Sequence, residues 1–256
     1  MILSVRGGAG PLETTSAAKT FSSILAAQST FSVLGGETGK DIWDMPDDNA
    51  FDNAMYLDIS GVAGAIAVLS CFKLFFHMEH NTAVGYSVIP YAAQLFHKII
   101  TGKNVKAGVK LESSLFLMAI QSIVGYACFN KVSWAKTAMK LYGFNSLINA
   151  VIFSFAPKMG STLWNLNYDT PTTESMANKS MGMALAAHAI AVLVPILSNV
   201  SVNETVGYTI LAYLLGMVNI AYIAKDLEKS TLSAKVPFVW HAWVAVLAFC
   251  SASILL

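Results

Sequence analysis

The sequence predicts an all-α integral membrane protein with about eight transmembrane helices, arranged as two parallel tandem repeats of four helices. The first observation behind this prediction is composition. Of the 256 residues, 55% are hydrophobic and only 12% are charged, and the mean hydropathy is +0.57. An ordinary soluble domain has roughly 25% charged residues. The other two observations are an internal repeat and a series of long apolar windows.

The repeat appears as short sequence matches at nearly one offset. The matching segments are 39–45 with 160–166, 65–69 with 189–193, and 81–86 with 203–208. The first pair shares a Gly-x-x-x-Trp pattern, with tryptophans at Trp43 and Trp164. Several matches at almost the same spacing indicate a duplicated unit of about half the chain. Because four crossings return the chain to the side on which it started, both copies begin on the same side of the membrane. We therefore expect a parallel repeat.

Apolar windows place the helices. A helix needs about 20 residues to cross roughly 30 Å of hydrocarbon. The windows that satisfy this are 59–77, 83–102, 112–130, 136–156, 180–199, 205–224 and 236–256. Segment 17–34 is rich in Ser and Thr, but the repeat places it opposite 135–156, so we predict an eighth helix there that is polar where it packs. The alternative is an amphipathic helix lying in the membrane interface.

These helices divide the chain into a flexible N-terminal segment and two repeats. The predicted bounds are 1–16 for the flexible segment, 17–131 for the first repeat and 132–256 for the second. Most lysines of the connections fall on one side of eight crossings, which the positive-inside rule assigns to the cytosol or stroma. Parallel repeats reduce the expectation of a transporter without removing it, because some carriers have them.

Motifs for enzymatic chemistry are absent from the sequence. It has no Gly-x-x-x-x-Gly-Lys-[Ser/Thr], Gly-x-Ser-x-Gly, His-Glu-x-x-His or Cys-x-x-Cys pattern. The connections are too short to bury a core of their own. No Asp or Glu falls in the middle of a predicted span, and Lys73 and Lys98 lie near span ends, where they can extend to water. We therefore expect no enzyme, no proton-coupled carrier and no nucleic-acid partner.

Histidines provide the candidate ligands. His77 and His80 end a predicted span and flank Glu79, so they are candidate metal ligands. The alternative is a polar helix end whose side chains stay in water, and we expect both histidines to be accessible to solvent.

His188 lies near the middle of the window 180–199, so we expect it to be buried. It either makes a hydrogen bond between helices or is an axial ligand of the magnesium of a chlorophyll. His97 and His241 are further candidate pigment ligands. No histidine has a counterpart in the other repeat, which favours single sites over a symmetric pair.

The start Arg6-Gly-Gly-Ala-Gly-Pro11, the Ala-Lys-Thr helices and the repeated Gly-x-x-x-Trp loop resemble tandem-repeat polytopic membrane proteins of diatoms and related algae with secondary plastids. The resemblance covers the whole chain loosely and implies a plastid or other endomembrane address, with the thylakoid favoured, and no activity.

With this resemblance, we expect a non-enzymatic structural or accessory subunit of a larger membrane complex, such as an algal photosystem or light-harvesting assembly. Its partners would be other membrane protein subunits and lipids, with chlorophyll or carotenoid as cofactor. The alternative is a small carrier or channel for a neutral or lipid-like solute. A polar cavity between the two halves would favour a carrier, and a dry interface would favour a subunit.

Overall fold

The computed structural model describes residues 14–34, 37–230 and 235–256, and these residues form helices without any β-strand. The helices are α1 Thr14–Leu34, α2 Glu37–Ile42, α3 Tyr56–Phe75, α4 His80–Ile100, α5 Lys103–Lys106, α6 Leu111–Phe129, α7 Ala135–Phe155, α8 Pro157–Trp164, α9 Pro171–Leu197, α10 Val202–Val218, α11 Asp226–Ser230 and α12 Phe238–Leu255. One π-helical turn, Phe51–Met55, leads into α3, and another, Asn219–Ile223, follows α10.

The all-helical prediction is confirmed, and a long helix occupies each of the eight predicted positions. Within the described residues, five helices are long and apolar enough to cross a membrane. These are α3 with its π-helical turn, α6, α9, α10 with its π-helical turn, and α12. Helices α1, α4 and α7 are more polar because they place residues such as Ser22, Gln94 and Ser146 inside the bundle.

Two predicted boundaries change. Helix α1 begins at Thr14, so residues 14–16 of the predicted flexible segment are helical, while residues 1–13 lie outside the described part of the chain. Helix α9 begins at Pro171 rather than at residue 180. The Thr170 side chain accepts a hydrogen bond from the Thr173 backbone N–H, and a proline in the first turn is compatible with a helix start.

The helices pack in the same order in both halves of the chain. Helix α1 packs on α3, α3 on α4, and α4 on α6. In the second half, α7 packs on α9, α9 on α10, and α10 on α12. Helices α3 and α9 meet between the halves, while α12 contacts α1 and α6 contacts α7. Each of these contacts therefore has a counterpart at the equivalent place in the other half.

Connections between the long helices meet at two ends of the bundle. At one end the connections after α1, α4 and α7 touch one another and the start of α12. There the Asn49 side chain donates to the Lys106 carbonyl at 2.7 Å, and the Asn49 backbone N–H donates to the Asp169 carboxylate at 3.1 Å. The indole N–H of Trp240, at the start of α12, donates to the Trp43 carbonyl at 3.1 Å. Every second connection along the chain therefore lies at this end of the bundle.

The opposite end holds the connections that follow α3, α6 and α9. Lys131, between α6 and α7, pairs with Glu79, between α3 and α4, at 2.9 Å. Near the start of α10, Asn203 donates to the Thr15 hydroxyl of α1 at 3.0 Å. Each long helix therefore runs from one end of the bundle to the other.

Helices α7 and α9 pack closely because a glycine lies at their contact. Gly182 of α9 faces the backbone of α7, and a Cβ atom there would lie 2.9 Å from both the Ala150 carbonyl oxygen and the Ser154 nitrogen. Such close approach between backbones is a usual means of association for membrane helices. It also brings the polar face of α7 against α9.

Candidate functional site

A cavity lies between the two halves of the chain, and we call it cavity 1. Its empty space is about 790 Å³, the open mouth included. Helices α3, α4 and α6 line it from the first half, and α7, α8 and α9 from the second. The polar and aromatic lining residues are Asp58, Tyr91, Lys98, Ser114, Gln121, Tyr142, Asn145, Ser146, Asn149, Phe153, Trp164 and His188. The interface between the halves therefore contains an open-mouthed cavity in which these polar side chains lie among apolar ones such as Val62, Leu95 and Leu185.

An ion pair lies in the wall of cavity 1. The Lys98 ammonium of α4 is 2.6 Å from the Asp58 carboxylate of α3, and the two side chains are 1% and 15% exposed. A buried charge without a partner is expensive, so each of these groups depends on the other. Together they add no net charge to the cavity.

This ion pair corrects one expectation. Lys98 does not extend to water, because α4 packs on α3 and brings Lys98 against Asp58. Asp58 lies in the first turn of α3, one residue before the predicted window, and the π-helical turn Phe51–Met55 precedes it in the same continuous helix. The predicted window therefore ended just short of this carboxylate.

His188 lies on the α9 wall of the same cavity and is 2% exposed, so its predicted burial is confirmed. Its Nδ1 atom is 3.1 Å from the Ser146 hydroxyl of α7, and the Tyr142 ring packs edge-on against the imidazole at 5.0 Å between centroids. Tyr142 in turn donates to the Gln121 side-chain oxygen at 2.8 Å. The hydrogen bond between helices that was expected as one alternative is therefore present.

Three polar atoms of the lining are buried without a hydrogen-bond partner. They are the His188 Nε2, the Ser114 hydroxyl and the Trp164 indole N–H. A buried polar group without a partner costs free energy that a hydrogen bond would recover. Since helices from both halves supply these atoms, a ligand in cavity 1 would find donors and acceptors on opposite walls.

The other predicted pigment ligands lie away from this cavity. His97 is exposed on α4. His241, at the start of α12, is also exposed, and its Nδ1 is 2.6 Å from the Tyr222 hydroxyl. Neither residue shares a site with His188, and pigment ligation by them stays a prediction.

The predicted metal pair is only partly accessible. His77 is exposed, as expected, whereas His80 is half-buried and its Nε2 is 3.0 Å from the Val192 carbonyl, so only part of the His80 ring reaches solvent. Glu79 pairs with Lys131 instead of turning to the histidines. Across the described part of the chain, no three His, Cys, Asp or Glu residues come together as a metal site.

The sequence interpretation missed most of the cavity lining. One signal was available on α7, where Tyr142, Asn145, Ser146 and Asn149 recur at three- and four-residue intervals and so share one helix face. In a predicted transmembrane helix, such a polar face points to the bundle interior or to a cavity. The pairing of Asp58 with Lys98 had no comparable signal, because it depends on which helices are neighbours.

Five helices of the described part of the chain are long and apolar enough to cross a membrane, which is the feature of an integral membrane protein. Comparison of the chain with protein-family models, with curated proteins and with solved structures finds no match.

Proposed function

We propose that this protein is a membrane carrier that crosses the bilayer eight times, as two parallel four-helix repeats, and binds a small neutral polar solute in cavity 1. The observation that supports it most directly is a cavity between the two halves whose walls carry several polar side chains. Carriers built from repeats commonly bind substrate at the repeat interface, near the middle of the membrane.

The eight crossings are supported by the alternation of connections between two ends and by the matched packing of the halves. Helices α1, α4 and α7 are less apolar than the other five long helices. Their polar side chains, such as Ser22 and Ser146, are buried in the bundle, where they avoid lipid. A helix with such a buried polar face can cross a membrane when its neighbours cover that face.

The lining indicates the chemistry of the solute. Asp58 and Lys98 neutralise each other, so the cavity offers no net charge to an ionic ligand. Carboxamides at Gln121, Asn145 and Asn149 present both donors and acceptors. A neutral molecule with several hydroxyl or amide groups matches this lining best.

Cysteine labelling in proteoliposomes tests the proposal. In a variant whose native cysteines are replaced by serine, Asn149→Cys places a thiol in cavity 1. A membrane-impermeant, water-soluble thiol reagent should modify it from both sides of the bilayer, because a carrier opens its site to each side in turn. Ile148→Cys is the matched control, since this neighbour on α7 is 60% exposed on the outside of the bundle and should face lipid.

Glycerol, glucose and urea are then tested as solutes. The solute that slows modification of Asn149→Cys by the thiol reagent identifies the class of molecule that the cavity binds. Labelling from one side only, without passage of any of these solutes into the vesicles, would contradict a carrier. Equal labelling of Ile148→Cys would show that α7 does not face lipid, and the assigned crossings would be wrong.

A second candidate function is a pigment-binding subunit of a larger membrane complex, and the unpartnered His188 Nε2 favours it. An imidazole whose other nitrogen is hydrogen-bonded has the right chemistry for an axial ligand. The surroundings fit less well, because carboxamides and an ion pair line the cavity in place of a flat apolar slot. An absorption spectrum of gently purified protein distinguishes the two, and the resemblance to algal proteins makes thylakoid membranes the place to look.

A further inference from the structure

A second cavity lies on the other side of the α3 and α9 contact, and we call it cavity 2. Helices α1, α3, α9, α10 and α12 line it, and its empty space is about 640 Å³ with the open mouth included. Its walls carry three of the five tryptophans of the chain, at Trp43, Trp240 and Trp243.

The two cavities are lined from equivalent places in the two halves. Cavity 1 is bounded by α3, α4, α6, α7 and α9, and exchanging the halves converts this set into the helices around cavity 2. Individual residues follow the offset of the repeat. The equivalent lining pairs are Trp164 with Trp43, Asn149 with Gln28, and Tyr91 with Tyr213. The duplication has therefore produced two pockets rather than one.

The chemistry of the two pockets differs. Cavity 1 contains the Asp58 and Lys98 pair, whereas none of the described residues that line cavity 2 carries a charged side chain. Trp43 and Trp240 pack edge to face there at 5.8 Å between ring centroids, and the Trp240 indole N–H is already bonded to the Trp43 carbonyl. Aromatic rings present broad apolar surface, so the walls favour an uncharged and mainly apolar ligand.

Three polar atoms in cavity 2 are buried without a hydrogen-bond partner. They are the hydroxyls of Tyr213 and Tyr56, whose residues are 5% and 9% exposed, and the Oε1 atom of Gln28. An amide oxygen only accepts, so its partner on a ligand must donate a hydrogen bond. A tyrosine hydroxyl donates as well as accepts. A single ligand hydroxyl is the simplest group that can satisfy any one of these atoms.

We propose that cavity 2 is a second binding site, for an uncharged apolar molecule that carries one hydroxyl group, the chemistry shared by sterols and isoprenoid alcohols. The site is independent of the solute in cavity 1, because the two cavities share the α3 and α9 contact but no lining residue.

Tryptophan fluorescence tests this site. A dibrominated sterol quenches indole fluorescence on contact, so it should quench the full-length protein in detergent saturably through Trp43, Trp240 and Trp243. The hydroxyl-free dibrominated sterane is the ligand control. Tyr213→Phe removes the hydroxyl and keeps the ring, and we expect about three- to tenfold weaker binding of the sterol, as for the loss of one hydrogen bond. Tyr91→Phe, at the equivalent position of cavity 1, should leave sterol binding unchanged.

Competition identifies which alcohol the site takes. Unlabelled geranylgeraniol that reverses the quenching at lower concentration than unlabelled sterol would assign an isoprenoid alcohol, and the reverse order would assign a sterol. Quenching that does not saturate, or that the sterane produces as strongly as the sterol, would overturn the proposal. Equal weakening by Tyr213→Phe and Tyr91→Phe would also overturn it, since the effect would then not be specific to cavity 2.

Discussion

Asp48 and Asp169 lie 121 residues apart and join the two halves through reciprocal hydrogen bonds. The Asp48 carboxylate accepts from the Asp169 backbone N–H at 2.8 Å, and the Asp169 carboxylate accepts from the Asn49 backbone N–H at 3.1 Å. The same offset separates Trp43 from Trp164. Equivalent residues that bind each other in this way are expected where an approximate twofold axis passes between two copies of a repeat.

Replacing Asp48 should weaken this junction. The buried carboxylate also accepts from the Phe51 backbone N–H at 3.0 Å, so Asp48→Ala leaves two backbone donors without their acceptor. We expect a loss of about 1–3 kcal/mol in the free energy of unfolding. Asp48→Asn keeps one acceptor oxygen and should lose less. Thermal unfolding in detergent measures both, and an alanine variant as stable as the parent would contradict the role given to this residue.

The same residue predicts a pH dependence. Burial raises the pKa of the Asp48 carboxyl, so the folded protein holds this proton more tightly than the unfolded chain does. The stability contributed by this group is therefore present below the unfolded pKa of about 3.9 and is lost as pH rises through the higher folded value. The parent should have a higher free energy of unfolding than Asp48→Asn at low pH. This difference should become smaller as the pH rises through the folded pKa of Asp48. A difference that grows with pH would show that the folded pKa is lowered.

The Asp58 and Lys98 pair should behave as one unit. Removing either partner leaves the other charge buried, and we expect Asp58→Ala or Lys98→Met to cost about 3–5 kcal/mol. The double variant should cost clearly less than the two single losses added together. The exposed pair of Glu79 with Lys131 is the matched control, and Glu79→Ala should leave the melting temperature almost unchanged. Additive losses would show that the two charges do not depend on each other.

The sequence predicts those features that depend on one helix alone, and it does not predict those that depend on which helices are neighbours. Each long helix follows from its own apolar window or, for α1, from its repeat partner. The burial of His188 follows from its place in such a window. The Asp58 and Lys98 pair instead requires knowing that α3 and α4 pack face to face, and the lining of cavity 1 requires knowing that α7 lies against α9. The spacing of residues along one helix does not show which other helix packs against it.

The close contact of α7 with α9 predicts a steep cost for added volume. Gly182→Ala would place a Cβ atom 2.9 Å from the Ala150 carbonyl oxygen, and backbone cannot move aside cheaply. We expect a loss of about 1–3 kcal/mol. Gly125→Ala on α6 is the matched control, because its nearest neighbour would be a Val88 methyl group at 3.2 Å, which can shift. Equal melting temperatures for the two variants would show that α7 and α9 are less closely packed.

His188 separates the two candidate functions. His188→Leu removes the hydrogen bond to Ser146 and leaves no large cavity, so we expect a cost of about 1 kcal/mol in stability. If the protein carries a chlorophyll on this residue, the variant should lose an absorption band that the control His77→Ala keeps. Purified protein without any tetrapyrrole would rule out chlorophyll ligation and leave His188 as a polar group in the wall of cavity 1.

The proposed eight crossings predict on which side of the membrane each connection lies. Asp41 of α2 and Thr162 of α8 are exposed at equivalent positions in the two halves, near the junction of Asp48 with Asp169. Cysteines placed at these two positions should react with an impermeant thiol reagent from the same side of a sealed vesicle. Lys131→Cys, in the connection between α6 and α7, should react only from the opposite side. Labelling of Asp41→Cys and Thr162→Cys from opposite sides would mean an odd number of crossings between them, and the parallel repeat would then be wrong.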